Sequence, residues 1–450
     1  MSTRDAFVAV HRFGLGPRPG ELDRAAADPK GWLKRQIDPA AAALPPQFAG
    51  LPGGAERMGD LLRARRDRGD PGAQKLIRES FRETYRQEAS ARLAVQVTSA
   101  APFRERLVAF WSNHFTVSVQ RPPLFGTAGA FEREAIRPYV TGRFSDMLLA
   151  VARHPAMLVY LDNGQSFGPA SPAGLRQHRG LNENLAREML ELHTLGVDGG
   201  YTQTDVRELA KILTGWTVTP PRFPDAGQFR FFPQIHEPGP KTLLGVVYRD
   251  DDALEAETAF QALTRHPATA RHVATKLARH FISDTPPQAA VERLARVFRD
   301  TAGNLGAVSH ALIEQPEAWA NPLAKVKTPN EFVVAALRAT DFAPQSGDDG
   351  HAKMMINAVR GLGQAPFNAP SPAGWPDTAA DWISPESVLR RADWAMALAG
   401  RMAPGHDPDR LFEATIAPVA AHATAQAVAR APSRADAMGL VLASAEFQRR

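Results

Sequence analysis

Apolar residues recur with the period of an α-helix through most of this 450-residue chain. In "RERLVAFWSNHF", Leu107, Phe110, Trp111 and His114 follow one another at i, i+3, i+4 and i+7, which places them on one helical face. Stretches with the same period are "DVRELAKILTG", "HPATARHVATKLARHFI", "PQAAVERLARVFRD", "NLGAVSHALIEQ", "PNEFVVAALRAT" and "PESVLRRADWAMALAG". The pattern predicts a predominantly all-α fold, a multi-helix orthogonal bundle with long ordered Pro/Gly-rich loops.

Local signals mark where several of these helices begin and end. Thr202 with Asp205 three residues later resembles a capping box, and Gly215 follows the same helix as a breaker. Pro267 stands near the first position of the next long helix, where its missing N–H costs nothing. Strand signal is weak and is confined to residues 228–248. There we expect at most a small β-hairpin around "HEPGPK", with Pro233 at a sheet edge.

Proline and glycine divide the chain into segments. We predict an N-terminal helical segment (1–38), a Pro/Gly/Arg-rich linker (39–75) and a main helical domain (76–450) with a sub-boundary near 250. Irregular stretches fall at 39–58, 162–180, 216–252 and 361–386. The last contains two Trp and a Phe, which are costly to expose, so we expect it to be ordered and packed against the body.

Composition excludes several classes of protein. The 53 basic and 48 acidic residues give a net charge of only +5 and are interleaved, so we expect no nucleic-acid partner. The absence of cysteine rules out disulfide scaffolds, thiolate metal sites and cysteine nucleophiles. We predict no transmembrane segment, because no window reaches the length of a membrane-spanning apolar run. The start of the sequence shows no signal peptide, which predicts a cytoplasmic location by default.

The stretch "NENLAREMLELHTLGVDGGYTQTD" (182–205) concentrates carboxylates on one helix. At 100° per residue, Glu188 and Glu191 share a face with Asn184, whereas His193 points to nearly the opposite side. The pair is either a solvated face or a carboxylate pair that binds a divalent metal or exchanges protons. Asp198, followed by two glycines, indicates a turn, because a calcium loop needs more oxygen ligands.

Histidines supply the other candidate groups. His114 continues an apolar stripe, so it is either a hydrogen-bonded core residue or a group that binds a metal or a carboxylate. His236 lies in a long loop with Glu237 and Lys241, where surface decoration and a functional role are both open. His272, Lys276 and Arg279 share a helix face. Either they bind a phosphate or sulfate, or they are cations that the helix dipole stabilises toward the C-terminus.

Several strings, in order along the chain, resemble one bacterial family. They are "HRFGLGP", "FWSNHFTVS", the run from "NENLAREMLELH" to "KILTGWTV", "KTLLG", "HPATARHVATKLARHFISD", "KVKTPNEFVVAALRA", "PSPAGWPDTAADWISPE" and "SAEFQRR". They are similar to the domain of unknown function 1800 family, from about residue 7 to the end. The resemblance implies a largely helical protein that acts with a sulfatase- or alkaline-phosphatase-like protein encoded nearby. It also implies export with a partner that carries a twin-arginine signal.

Three functions follow as hypotheses. The first is an enzyme with a carboxylate/histidine site. Its catalytic residues would be Glu188, Glu191, His114, His236 and Asp377, and its metal ligands, if it uses a divalent metal, Glu188, Glu191 and His114. The second is a non-catalytic helical partner or chaperone of the phosphatase-like protein. The third is a haem protein, since "ELHTLG" and "SNHF" faintly resemble strings of haem peroxidases. Substrate and reaction class stay open.

Overall fold

The computed structural model describes residues 3–38, 43–66, 71–344 and 347–450. It is 64% helical, with two small antiparallel sheets of two strands in the part of the chain that it describes. The prediction of a predominantly all-α fold is therefore confirmed.

The α-helices are numbered in chain order. They are α1 Thr3–Phe7, α2 Glu21–Ala27, α3 Pro29–Arg35, α4 Gly54–Arg66, α5 Pro71–Thr98, α6 Pro102–His114, α7 Ala128–Phe131, α8 Phe144–Arg153, α9 Pro155–Tyr160, α10 Pro172–Gln177, α11 Asn184–Glu188, α12 Gln203–Ile212, α13 Asp252–Arg265, α14 Pro267–Phe281, α15 Gln288–Asp300, α16 Leu305–Ile313, α17 Glu317–Ala320, α18 Pro329–Ala339, α19 Asp349–Gly361, α20 Pro385–Met402, α21 Pro408–Thr415, α22 His422–Ala429 and α23 Arg434–Ala443. Three π-helical segments continue α1, α7 and α11, at Val8–Phe13, Glu132–Ile136 and Met189–His193.

Four short strands pair differently from the predicted hairpin. Strand β1 (Trp216–Val218) pairs with β2 (Phe229–Phe231), and β3 (Lys241–Leu243) pairs with β4 (Val246–Tyr248). The predicted hairpin around "HEPGPK" is wrong, because that stretch joins the two ribbons instead of turning within one. The β3–β4 turn is made by Leu244 and Gly245, both with positive φ, as in the tight turns that match strand twist.

The helix-end predictions hold in detail. The Thr202 side chain accepts the N–H of Asp205 while the Asp205 carboxylate accepts the N–H of Thr202, so the capping box is present. Pro267 occupies the first position of α14, and Gly215 follows α12 with φ of 90°. These local signals were readable because each involves groups within a few residues of one another.

Two large buried clusters form most of the core, beside a small third one of Phe48, Ala91 and Val95. The first runs from Ala6 to Ala318 and the second joins Leu15 and part of α5 to residues 332–447. Side chains of the predicted N-terminal segment belong to these clusters, and one of them, Phe13, stacks against Trp319. The first cluster also continues across residue 250. Within the predicted linker, residues 54–66 form α4, whereas residues 39–42 and 67–70 lie outside the described part.

None of the helices within the described ranges has the length and apolarity needed to cross a bilayer.

The buried Glu105–Arg137 pair gives a test of the core. Its two hydrogen bonds measure 2.7 and 2.9 Å, and both side chains are 4% exposed. We expect Glu105→Ala to lower the free energy of unfolding by about 3–5 kcal/mol, because it leaves a buried guanidinium without its counter-charge. Glu314→Ala, at an exposed pair with Lys30, is the matched control and should cost about 0–1 kcal/mol. Urea denaturation measures both; equal losses would contradict the expectation.

Candidate functional site

A cavity of about 660 Å³ lies among α6, α14, the start of α18 and the loop after α19. Its size is within the range of small-molecule sites. The charged and imidazole side chains that line it are Arg92, Arg106, His114, Glu132, Asp198, His272, Lys276, Arg279, His280, Glu331, Asp377 and Asp381.

Helix α14 contributes one complete polar stripe. His272, Thr275, Lys276, Arg279 and His280 follow at i, i+3, i+4, i+7 and i+8 and all line the cavity. The opposite side of the helix is apolar and buried, with the residues Val273, Ala274, Leu277, Ala278 and Phe281. The amphipathic pattern therefore directs five polar side chains into one space.

A hydrogen bond in this space joins His280 to Asp377. His280 Nδ1–H donates to Asp377 Oδ2 at 2.7 Å. The other ring nitrogen, Nε2, is buried, has no hydrogen-bond partner in the described ranges and lies 4.0 Å from Glu331 Oε1. A carboxylate on Nδ1 fixes the tautomer that leaves a lone pair on Nε2.

Electrostatics keep His280 neutral and Asp377 ionised near pH 7. Burial lowers the pKa of His280, and the opposing attraction of Asp377 does not restore it. Burial alone would raise the pKa of the Asp377 carboxyl, but His280 and Lys325 hold it well below its ordinary value. The pair thus has the charge state of an oriented general base.

The loop that carries Asp377 is ordered, as its aromatic residues predicted. Asn113 Nδ2 donates to Trp375 O at 2.9 Å, and Trp375 N donates to Asn113 Oδ1 at 2.7 Å. Gly374 has φ of 86°, and a Cβ there would lie 2.4 Å from Asn113 O, so only glycine fits. Two residues beyond Asp377, Ala379 N donates to Asp284 Oδ2 at 2.7 Å.

Glu331 lies next to this pair, with its Oε1 4.0 Å from His280 Nε2. Its carboxylate accepts hydrogen bonds from Arg106 and, at 3.0 Å, from Arg450 Nε. It also accepts the N–H of Thr328 at 2.9 Å as the third residue of α18. Burial would raise the pKa of Glu331, but the two guanidinium groups bring it to about 2, so it stays ionised.

His114 and His272 line one side of the cavity, and both bond to the segment that ends at His193. His114 Nε2–H donates to His193 O at 3.1 Å, and His272 Nε2–H donates to Leu192 O at 3.0 Å. The His114 ring centroid lies 6.3 Å from that of His193 and 6.0 Å from that of His272. Burial, followed by the charge of Lys276, lowers the pKa of His193 to about 3 and that of His272 to about 4.

Lys276 and Arg279 differ from the other cations of the cavity. Arg92 lies 2.9 Å from Glu132 and Arg106 bonds Glu331, but neither Lys276 nor Arg279 has a hydrogen bond or a carboxylate within 4 Å among the described residues. Burial lowers the pKa of Lys276 to about 8, with Asp377 opposing and Arg279 reinforcing the shift.

Glu188 and Glu191 lie outside the cavity lining. Tyr201 Oη donates to Glu191 Oε2 at 3.4 Å, and burial, then the charge of Glu191, raises the pKa of Glu188. The described residues contain no group of three or more His, Asp or Glu side chains that could hold a metal ion. The predicted metal set of Glu188, Glu191 and His114 therefore does not come together. Met189–His193 is π-helical, so the spacing of 100° per residue used for this helix does not hold as far as Glu191.

His236 belongs to a separate buried cluster. Its Nε2 lies 3.2 Å from Glu255 Oε2, which accepts from Lys241 Nζ at 2.9 Å, and its Nδ1 bonds Thr214 O at 2.8 Å. All three side chains of this cluster are buried and none lines the cavity. The cluster joins the β3 ribbon to α13.

A family model described as "Protein of unknown function (DUF1800)" matches residues 8–449. The chain belongs to the DUF1800 family. Searches of curated proteins and of solved structures give no match. Because the family description states no activity, the chemistry of this DUF1800 protein has to be argued from the cavity itself.

Of the five residues predicted for the site of the DUF1800 protein, the cavity brings together His114 and Asp377. The sequence reasoning missed His280 and Glu331. His280 was readable as the continuation of the α14 polar stripe, and Glu331 as the fourth residue of a Thr-x-x-Glu capping box. No pattern among neighbouring residues in the sequence indicates that these two side chains lie close to Asp377.

The buried histidines predict a loss of stability in acid. Each of His114, His193 and His272 has a lowered pKa, so between about pH 6.5 and 4 the unfolded chain binds protons that the folded chain does not. The free energy of unfolding should fall as pH falls through that window, by about 1.4 kcal/mol per pH unit for each such histidine.

Urea denaturation of the DUF1800 protein at several pH values measures this slope. His272→Gln should reduce it by about one proton. His422→Gln, at an exposed histidine of α22, is the matched control and should leave the slope unchanged. A slope that His272→Gln does not alter would contradict the assignment.

Asn113 is expected to position the Asp377 loop. Asn113→Leu removes both hydrogen bonds to Trp375, so we expect a loss of about 1–3 kcal/mol in unfolding free energy and faster cleavage by protease within residues 373–381. Asn357→Leu removes one exposed hydrogen bond to Arg360 on α19 and is the control. Equal protease resistance of the two variants would argue against this role.

Proposed function

We propose that this DUF1800 protein is an enzyme whose carboxylate/histidine site is His280 with Asp377. The observation that carries the proposal is the 2.7 Å hydrogen bond between them on the wall of a ligand-sized cavity, with Nε2 of His280 left without a partner in the described structure. Such a base–orienter pair is the recurring element of acid–base sites.

The proposed chemistry is proton transfer. His280 Nε2 takes a proton from a water molecule or from a substrate X–H group, and the ionised Asp377 stabilises the imidazolium that forms. The same proton then passes to the leaving group or to the product, which restores neutral His280. The lowered pKa of His280 means that the base form is already present at pH 7, and the rate should fall as acid protonates it.

The expectations of a partner protein and of export rest on the family resemblance. The sulfatase- or alkaline-phosphatase-like partner stays a prediction. The two alternatives for location, export with a twin-arginine partner and a cytoplasmic location, also stay predictions. The divalent-metal form of the enzyme hypothesis lacks a ligand set, since no group of three metal-binding side chains occurs in the described ranges. The haem hypothesis also stays a prediction, and Soret absorbance of the purified protein tests it.

The non-catalytic partner is the second candidate, and one observation favours it. Arg106 and Arg450, from separate parts of the chain, both bond Glu331, as in a purely structural network. In that case the charged residues of the cavity hold helices together and His280 performs no turnover.

Turnover by His280 variants separates the two candidates. We expect the purified protein to consume at least one compound of a bacterial small-molecule extract, followed by mass spectrometry, and His280→Asn to slow that consumption by about 10²–10⁴-fold. Asp377→Asn should slow it as well, because the imidazole loses its orienting carboxylate.

His310→Asn, at an exposed histidine of α16, is the matched control and should retain the full rate. Thermal melting confirms that each variant is folded. If no compound is consumed, or if His280→Asn consumes it at the same rate, the enzyme proposal is wrong and the partner function is favoured.

A further inference from the structure

The cationic side chains that line the cavity fall into two groups, those that contact a carboxylate and those that do not. Arg92 and Arg106 each contact a carboxylate, at Glu132 and Glu331. Lys276 and Arg279, one turn apart on α14, have no such contact in the described ranges, although both line the cavity. A half-buried ammonium without a counter-charge is unfavourable unless a ligand supplies one.

The preference of cations for a helix C-terminus does not account for this arrangement. Arg279 lies in the last turn of α14, where the dipole favours positive charge. Lys276 lies more than one turn before the end of the helix and turns into the cavity, where burial opposes its charge. Of the two interpretations open from sequence, anion binding is the one that explains Lys276.

The wall next to these cations is aromatic. The Phe110 ring lies 5.4 Å from the His280 ring and 6.4 Å from the His114 ring, with the latter pair stacked. Phe131 and Phe367 also line the cavity. A ligand that fills this space would cover apolar surface with its body while its charged end meets Lys276.

We infer that Lys276 and Arg279 bind the oxyanion group of a substrate with an apolar body, the group being a carboxylate, a sulfate or a phosphate. The inference deepens the proposed function, since it names the substrate class of the same cavity. Lys276 supplies a compact positive charge with three donors, and Arg279 supplies a planar fork that matches two oxygens. His280, one position beyond Arg279, then faces the reacting part of the bound molecule.

Several titratable groups face Lys276. They are Asp377 on its loop, Arg279 and His272 on α14, His114 on α6 and His193 on the π-helical segment; Asp198 also lines the cavity. The three histidines have lowered pKa values and stay neutral at pH 7. Above neutral pH the group that changes charge first is therefore Lys276, whose pKa lies near 8.

Calorimetric titration of the full chain tests the site with defined probes. Phenyl phosphate, phenyl sulfate and benzoate distinguish the three oxyanions, inorganic phosphate and sulfate report the charge alone, and phenol is the neutral control. We expect at least one aryl oxyanion to bind at least ten times more tightly than phenol and than its inorganic counterpart.

Variants locate the binding. Lys276→Gln and Arg279→Gln should each weaken the aryl oxyanion at least tenfold, whereas Arg271→Gln, at an exposed arginine of the same helix outside the cavity, should not. Wild-type affinity should fall as pH rises through about 8, and Lys276→Arg should keep its affinity at pH 9 because arginine stays charged.

The inference is overturned if no oxyanion binds, if phenol binds as tightly as the aryl oxyanions, or if Lys276→Gln and Arg279→Gln both leave affinity unchanged. His280→Asn keeps this test separate from the proposed reaction, since it should retain anion binding while losing turnover. Binding without turnover in the wild type would overturn the enzyme proposal alone.

Discussion

The site depends on the contacts that the buried carboxylate of Glu331 makes with its cationic partners. This carboxylate caps α18, accepts from Arg106 on α6 and from Arg450, and lies 4.0 Å from His280 on α14. A carboxylate buried to this degree is stable only with its counter-charges in place, and a guanidinium without it is equally costly. Each partner therefore fixes the position of the others, and three helices and a distant segment meet at one point.

The same network determines what the cavity presents to a ligand. Arg106 and Arg450 both contact Glu331, and Asp377 lies between His280 and Lys325. Lys276 and Arg279 of α14, which line the same cavity, have no carboxylate contact of this kind in the described structure. Functional sites commonly keep such local instability, which well-packed surroundings support. The aromatic wall and the anchored loop supply that support here.

Much of the fold was readable from the sequence. The period of α6 and α14 and the Thr202 capping box were predicted, because each depends on residues close in sequence. The order of the tryptophan loop was predicted from the cost of exposing its aromatic side chains, although its hydrogen bonds reach Asn113 and Asp284, which are distant in sequence. The hairpin around "HEPGPK" failed because β1 lies before the long loop and its pairing with β2 is not a local matter. Of the predicted site residues, His114 was identified as an inward-facing group and Asp377 as a group on a loop, and both line the cavity. Glu188, Glu191 and His236 do not line it.

The sequence by itself determined the family, the helical class, the helix ends and the side of each helix that carries polar groups. These follow from periodicity and from capping, which act over a few residues. Only the tertiary structure decided which polar groups meet. His280 and Asp377 are 97 residues apart, and Arg106 and Glu331 are 225 apart. A helical pattern fixes the direction of a side chain relative to its own axis, but the packing of separate helices chooses the partner on the far side.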